Sequence, residues 1–312
     1  MRPVSRGEQP VVAPGSAVDL SGSQLGSVLA CPRHWFLARK AQAESARGTA
    51  ASFGSVVHVL AEHGARAETD PTALSDHLES VWDQLDFEAN WLSAVERVEA
   101  ETALERFAAW QEARPELELL GTEVPFSCDI DLDGGPVHLT GTADRVERDS
   151  DGRIRIVDFK TSKTPPAAAD VAMQDQLGVY QLAVQAGAFD DLAGSGARPG
   201  GAELVYLRLS DGPSPLPKVF QQPSLDDVPF PLAGVEGLVT RPEPVDLRPE
   251  PAYGPVRRPE PPAPPTWVHQ RLAEAAHVIR SERFEARIGS GCRYCPFRGS
   301  CPAQPSGRQV VT

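Results

Sequence analysis

Residues 139–163 read LTGTADRVERDSDGRIRIVDFKTSK, and the fold turns on how this stretch bends. Two runs rich in β-branched and other apolar residues flank Asp149-Ser150-Asp151-Gly152, the pattern of a β-hairpin. With Ser150-Asp151-Gly152 as the loop and Gly152 left-handed in a bulge, Asp149 faces Arg153. Counting outward, Asp144 lies opposite Asp158, with β-carbons about 5 Å apart. Lys160 shares their face, because strand side chains alternate. A two-residue turn would move Asp144 to the other face, so loop length decides what this hairpin can do.

Two ionised carboxylates that close repel, and a bare pair titrates upward as a unit. A divalent cation removes that penalty. Mg²⁺ prefers oxygen ligands and takes one or two carboxylates along with phosphate and water. It lowers the pKa of bound water and steadies charge at a phosphoryl centre. Lys160 would add a fixed positive charge near such a phosphate. A D-x-K triplet on a surface hairpin also arises by chance, so the rest of the chain must bear on the reading.

Around the hairpin, segments 122–131, 136–148 and 153–161 carry strand formers bounded by Gly and Asp turns. Residues 167–186 read as helix with Gly187 as its C-cap, and AELVYLRL (202–209) as another strand. This succession predicts an α/β core with at least one crossover. Upstream lies a Pro/Gly/Ser-rich tail, 1–18, followed by a helical stretch over 21–40 that Pro32 must break. A second helix is expected over 52–66, and after the N-cap signal Asp70-Pro71 helical pattern runs to about residue 114. Residues 211–265 hold 16 of the 30 prolines and read as an extended excursion. A last helix, 267–283, leads into a cysteine-rich end, and there is no internal repeat.

The 312 residues are 41% hydrophobic and 23% charged, the balance of a soluble globular protein. There is no apolar run of transmembrane length and no signal-peptide core, which places the chain in the cytoplasm, away from membranes. A net charge of −13 argues against coating nucleic acid by bulk attraction, though not against a local groove that holds cations. Only Lys40, Lys160, Lys163 and Lys218 are lysine, and none follows glycine, so there is no phosphate-binding loop of an ATPase motor.

Five cysteines are present, Cys31, Cys128, Cys292, Cys295 and Cys301. Residues 292–302, CRYCPFRGSCP, form a C-x₂-C-x₅-C run that wants a fourth ligand, and Cys31-Pro32 stands near the other end. Spacing alone leaves zinc, iron–sulfur and idle thiols open. Cys128, inside a strand segment, reads as buried.

Taken together, GTADRV (141–146), VDFKT (157–161) and QLGVY (176–180) resemble the RecB-like branch of the PD-(D/E)xK nuclease superfamily. The resemblance implies a restriction-endonuclease-like core, a mixed central sheet flanked by helices, in one nuclease domain over 19–312. Within it would lie a helical part (19–115), a catalytic α/β core (116–210), the Pro-rich excursion (211–265) and a helix with a cysteine clasp (266–312). It implies that Asp144 and Asp158 bind metal and that Lys160 assists the attack. Gln176 and Tyr180, four apart on one helical face, would steady the lysine or touch DNA. Gly54-Ser55-Val56-Val57-His58 matches the family's upstream helix and makes His58 a metal ligand by resemblance, where a lone His on an apolar helix is otherwise structural. Glu123 stands where the family often carries an acid on the preceding strand, with no role assigned.

Cys31-Pro32-Arg33 with Trp35-Phe36, paired with the distant cysteine run, resembles nucleases of bacterial helicase–nuclease complexes of the AddB and AdnAB types. That implies a [4Fe–4S] cluster on Cys31, Cys292, Cys295 and Cys301. Arg33, Arg39 and Lys40 would form a basic strip beside it, reaching phosphates or simply solvated. The resulting expectation is a DNA nuclease dependent on Mg²⁺ or Mn²⁺, an exonuclease on single-stranded ends. It would act in repair and recombination with a UvrD-like helicase motor. The alternative is a non-catalytic, metal-stabilised DNA-binding or scaffold module.

Overall fold

A computed structural model describes residues 10–41, 43, 78, 79, 82, 89–228, 265–305 and 307. Six strands, β1 (Val18–Leu20), β2 (Glu118–Ile130), β3 (Val137–Arg148), β4 (Ile154–Lys160), β5 (Pro199–Ser210) and β6 (Pro217–Gln222), form one mixed sheet. β3 is its spine. Along one edge β2 runs antiparallel to it from end to end. On the other edge β1 pairs in parallel with 137–139, and β4 pairs antiparallel with 145–148. Among the described residues no strand pairs with 140–144 on that edge, so a gap opens in the sheet with Asp144 at its lip. β4 then continues in parallel with β5, which pairs antiparallel with β6.

The turn between β3 and β4 has the length that its sequence dictates. Asp149 N donates to Arg153 O at 3.0 Å and Gly152 N to Asp149 O at 2.9 Å. Gly152 takes φ +76, the left-handed conformation that a side chain would strain. The resulting register joins Arg145 to Val157, so the next pair outward is Asp144 with Asp158.

Seven helices flank the sheet among the described residues: α1 (Gly22–Ala30), α2 (Pro32–Trp35), α3 (Asn90–Glu112), α4 (Ala168–Val171), α5 (Asp175–Gln185), α6 (Asp190–Ala193) and α7 (Trp267–Arg280). α1 ends where Cys31, ahead of a proline, turns extended, and α2 begins with Pro32 at its first position. A π-type turn, Phe36–Lys40, follows. The parallel step from β4 to β5 needs a crossover, and α4 to α6 supply it. Ile154 and Ile156 of β4 pack into a core with α1, α5 and α7 on one face. Val157 and Phe159, pointing the other way, pack with Ala103, Leu104, Phe107 and Trp110 of α3. Asp158 and Lys160 therefore share the face covered by α1 and α5.

Two expectations need correction. The helix read over 167–186 is two pieces, because the chain turns at 172–174 and restarts with Gln174 as cap, its Oε1 accepting from Leu177 N at 2.7 Å. The Pro-rich stretch read over 211–265 as an extended surface excursion joins the sheet near its start, since β6 lies within it. Pro217 is tolerated because it stands at the first position of an edge strand. The helix expected over 52–66 lies outside the described residues.

Candidate active site

At the gap in the sheet, the β3 and β4 carboxylates meet. Phe159 N donates to Asp144 Oδ2 at 2.7 Å, which fixes the Asp144 carboxyl against the end of β4. Asp158 is buried, 2% exposed. Its Oδ1 accepts from Gln176 Nε2 at 2.7 Å and lies 3.3 Å from the Tyr180 hydroxyl. Lys160 Nζ stands 2.7 Å from Asp158 Oδ2, near enough for an ion pair. The ammonium lies outside hydrogen-bonding direction, however, so this buried oxygen makes no hydrogen bond among the described residues.

Gln176 ties the cluster together. Its Oε1 accepts from Lys160 Nζ at 3.1 Å, while its Nε2 serves Asp158 and the Tyr180 oxygen, the latter at 2.8 Å. Because an ammonium can only donate, the amide has one orientation. The Tyr180 proton is directed to Thr142 O, 3.2 Å away, or to Asp158. α5 is held in place by Arg271, whose Nε and Nη2 donate to the two oxygens of Asp175 at 2.8 and 2.7 Å.

Burial, and next the charge of Asp158, push the Asp144 carboxyl up to about 8 in the absence of a cation. The Phe159 N–H and Lys160 pull in the opposite direction, and Glu123 adds to the rise. Burial and the two aspartates likewise raise the Tyr180 hydroxyl well above the usual range. Such a pair of buried carboxylates fits a hard divalent cation that takes its remaining ligands from water and phosphate. Among the described residues no three His, Cys, Asp or Glu side chains gather for a metal.

Glu123 sits on β2 between residues paired with Arg145 and Ala143, in register with Asp144. Its φ of +48 is left-handed and non-glycine. His58 lies outside the described residues. Arg33, Arg39 and Lys40 occupy α2 and the turn after it, with Lys40 Nζ 5.7 Å above the Trp35 ring and Arg33 Nε buried. The two ends of the chain do pack together: Arg33 N donates to Glu285 O at 3.2 Å, and His34 meets Phe297 edge-on at 5.6 Å. Yet Cys31, Cys292, Cys295 and Cys301 are separate half-buried thiols, and Cys292 Sγ accepts from Gly289 N at 3.4 Å. Cys128 is likewise half-buried, its thiol pushed up to about 11, first by desolvation and then by Asp129.

Sequence reasoning missed two parts of the site. One is the N-terminus of α1, where Ser21, Gly22 and Ser23 line the same cavity as Asp144, Asp158 and Lys160. Ser21 followed by Gln24 was a usable cap signal, and Ser21 Oγ does accept from Gln24 N at 3.4 Å. The other is a buried ion network on the opposite sheet face. Arg145 Nε donates to Glu147 Oε1 at 2.7 Å, and Arg114 joins Glu147 to Glu203 with two 2.8 Å contacts. Trp110 lies beneath the Arg114 guanidinium at 4.4 Å. No local pattern marks the two Arg114 pairings, because their members are 33 and 89 residues apart.

A mixed sheet with crossover helices and paired aspartates, a lysine and a glutamine at its gap defines a nuclease-type α/β core. The family model of the PD-(D/E)XK nuclease superfamily matches residues 19–302, and the chain belongs to that superfamily. Membership makes it a phosphodiester hydrolase of the metal-dependent nuclease class, whose members usually use Mg²⁺ or Mn²⁺. No curated protein matches the chain. Among solved structures it is similar to one titled "Crystal structure of SSO0001", at 14% identity over 93% of this chain and 88% of that one, with a TM-score of 0.38. No helix among the described residues is long and apolar enough to cross a membrane.

Proposed function

We propose that the chain cuts DNA at the Asp144–Asp158 gap, working on single-stranded ends in repair or recombination beside a separate helicase motor. The observation that carries the catalytic part is the buried pair itself, with Lys160 Nζ 2.7 Å from Asp158 Oδ2. Asp144 and Asp158 would hold Mg²⁺ or Mn²⁺, with His58 as a further ligand. The bound ion would supply Lewis acidity and an activated water. Lys160 contributes a positive charge for the phosphate oxygens, and Gln176 keeps that ammonium from swinging away. Tyr180 buttresses Asp158 from the side of β3. Arg33, Arg39 and Lys40 are read as phosphate contacts along the incoming strand.

The cysteines support a second, structural element of the same reading. Cys31, Cys292, Cys295 and Cys301 would carry a [4Fe–4S] cluster that fastens the two chain ends, whose backbones already meet at Arg33 and Glu285. An anaerobically purified chain that is brown and absorbs near 400 nm supports this, and a colourless one with stoichiometric zinc replaces iron by zinc.

The decisive assay incubates end-labelled single- and double-stranded DNA with Mg²⁺ or Mn²⁺ and the purified chain. Cleavage by wild type and none by Asp158→Ala is the expected result. Equal cleavage by both, or none by either, removes the proposal.

A further inference from the structure

The cysteine-bearing end of the chain carries a surface that the catalytic reading leaves unused. Residues 286–312 contain no Asp or Glu but include Arg287, Arg293, Arg298 and Arg308, in a chain whose net charge is −13. Arg293 and Arg298 are exposed, in the 3-10 turns Ser290–Tyr294 and Arg298–Ser300, and neither has an acidic partner among the described residues. Three aromatic rings belong to the same stretch, those of Phe284, Tyr294 and Phe297. Phe284 stacks on Phe36 at 4.5 Å and Phe297 meets His34 edge-on, so both serve packing. Tyr294 does not. It is 80% exposed, and the Arg293 guanidinium lies over its ring at 5.5 Å from the centroid. An exposed ring among arginines without acids is the composition of a surface that stacks bases and neutralises phosphates.

This surface is fastened at a set distance from the gap. α1 begins at the cavity over the two aspartates, which Ser21, Gly22 and Ser23 line, and ends at Ala30. Its 9 residues span about 14 Å. At the far end Arg287 Nη1 donates to Leu29 O at 2.7 Å, and Arg33 N donates to Glu285 O at 3.2 Å. The arginine-bearing turns are thus tied to the end of α1 remote from Asp144 and Asp158, a few nucleotides away along an extended strand. Stacking on Tyr294 needs a base whose face is free. A single strand offers one, and the interior of a duplex does not.

We infer that Tyr294, Arg293 and Arg298 form a docking platform for single-stranded DNA, on which a base stacks against the tyrosine ring while the arginines take the phosphates beside it. The inference rests on the nuclease reading and deepens it: the platform holds the strand outside the catalytic gap and selects substrate that is unpaired.

Binding of a fluorescein-labelled oligothymidylate, and of the same oligonucleotide annealed to its complement, is measured by anisotropy without divalent ions, so that cleavage does not interfere. Tyr294→Ala should lose roughly tenfold in affinity for the single strand and less than about twofold for the duplex. Tyr294→Trp should bind the single strand at least as well as wild type, which separates a lost ring face from a disturbed cysteine element. Arg293→Ala and Arg298→Ala should each flatten the dependence of log K on log salt by about 0.7. Four results overturn the inference, even if the wild-type chain cuts DNA with Mg²⁺: no binding of the single strand, no loss in Tyr294→Ala, equal losses on single strand and duplex, or no rescue by tryptophan. A chain that cuts nothing, with Tyr294→Ala still selectively weakened on the single strand, removes the nuclease reading and keeps the platform.

Discussion

Gln176 grips Asp158 at 2.7 Å with one end of an amide whose other end holds Lys160 at 3.1 Å. A single side chain from α5 thereby sets the spacing of the carboxylate and the amine, two residues apart on β4. Glutamate has the same shape but no donor. Gln176→Glu keeps the contact with Lys160 and sets a negative charge against Asp158. Its activity with Mg²⁺ should fall further than that of Gln176→Ala, to about a hundredth of wild type against about a tenth. The comparison of kcat in the two variants reads the donor separately from the bulk.

The pH dependence follows from Asp144. Its carboxyl is pushed up to about 8 by burial and by Asp158, against about 3.9 in an unfolded chain. The folded state holds the proton more tightly, so its stabilising contribution is complete below about 4 and drains away as pH rises through about 8. Without divalent ions the melting temperature should therefore decline over that window, and Asp144→Asn, which can still accept from Phe159 N, should flatten the decline. Saturating Mg²⁺ should raise the melting temperature more at pH 9 than at pH 6, where it must first displace the proton. A Mg²⁺ effect that shrinks as pH rises would contradict the arrangement.

Gly152 fixes the register on which all this depends. Asp149 Oδ1 already accepts from Asp151 N at 3.0 Å and Arg153 N at 2.9 Å, so the loop has little slack. Gly152→Val forces a β-branched residue into φ +76 and should cost about 1–2 kcal/mol in urea unfolding. Cleavage per folded molecule should be unchanged.

This hairpin is where the sequence was most informative, because its chemistry is local. The loop type, the facing of Asp144 and Asp158, and the sharing of a face by Lys160 all follow from residues within about ten positions of Gly152. The Q-x-x-x-Y spacing carried Gln176 and Tyr180 to one side of a helix for the same reason. What was not legible is long-range. Nothing in Asp19-Leu20-Ser21-Gly22 says that β1 will share an edge of β3 with β4, which is what brings the α1 N-terminus to the cavity. Nor does a lone Arg114 at a helix end announce that it will join Glu147 to Glu203.

That arginine supports a further expectation. Glu147 and Glu203 are 0% and 1% exposed, and Arg114 touches both at 2.8 Å. Removing it leaves two buried carboxylates with fewer partners. Arg114→Ala should lose about 3–5 kcal/mol in urea unfolding, a cost of uncompensated burial more than a measure of what the pairs add. The double variant Arg114→Ala with Glu147→Gln should recover part of it. No recovery would mean that α3 packing, chiefly Trp110 under the guanidinium, carries the effect.

Glu123 combines two properties, a charge that raises Asp144 and a backbone at φ +48. A left-handed non-glycine residue costs about 1–3 kcal/mol and persists only where its surroundings hold it. Glu123→Gly relieves the conformation and removes the charge; Glu123→Gln removes the charge alone. Glycine also loses more backbone entropy on folding, by roughly 0.5–1 kcal/mol. The net expectation is a chain about 1 kcal/mol more stable for Glu123→Gly and unchanged for Glu123→Gln, read by urea unfolding. If the left-handed turn serves to aim the acid at the gap, both variants lose cleavage alike, because each lacks the carboxylate. If the turn matters through the path of β2 alone, Glu123→Gln cuts like wild type and only Glu123→Gly is impaired. The gap between the two variants in kcat therefore decides whether strain is spent on placing a charge or on bending a strand.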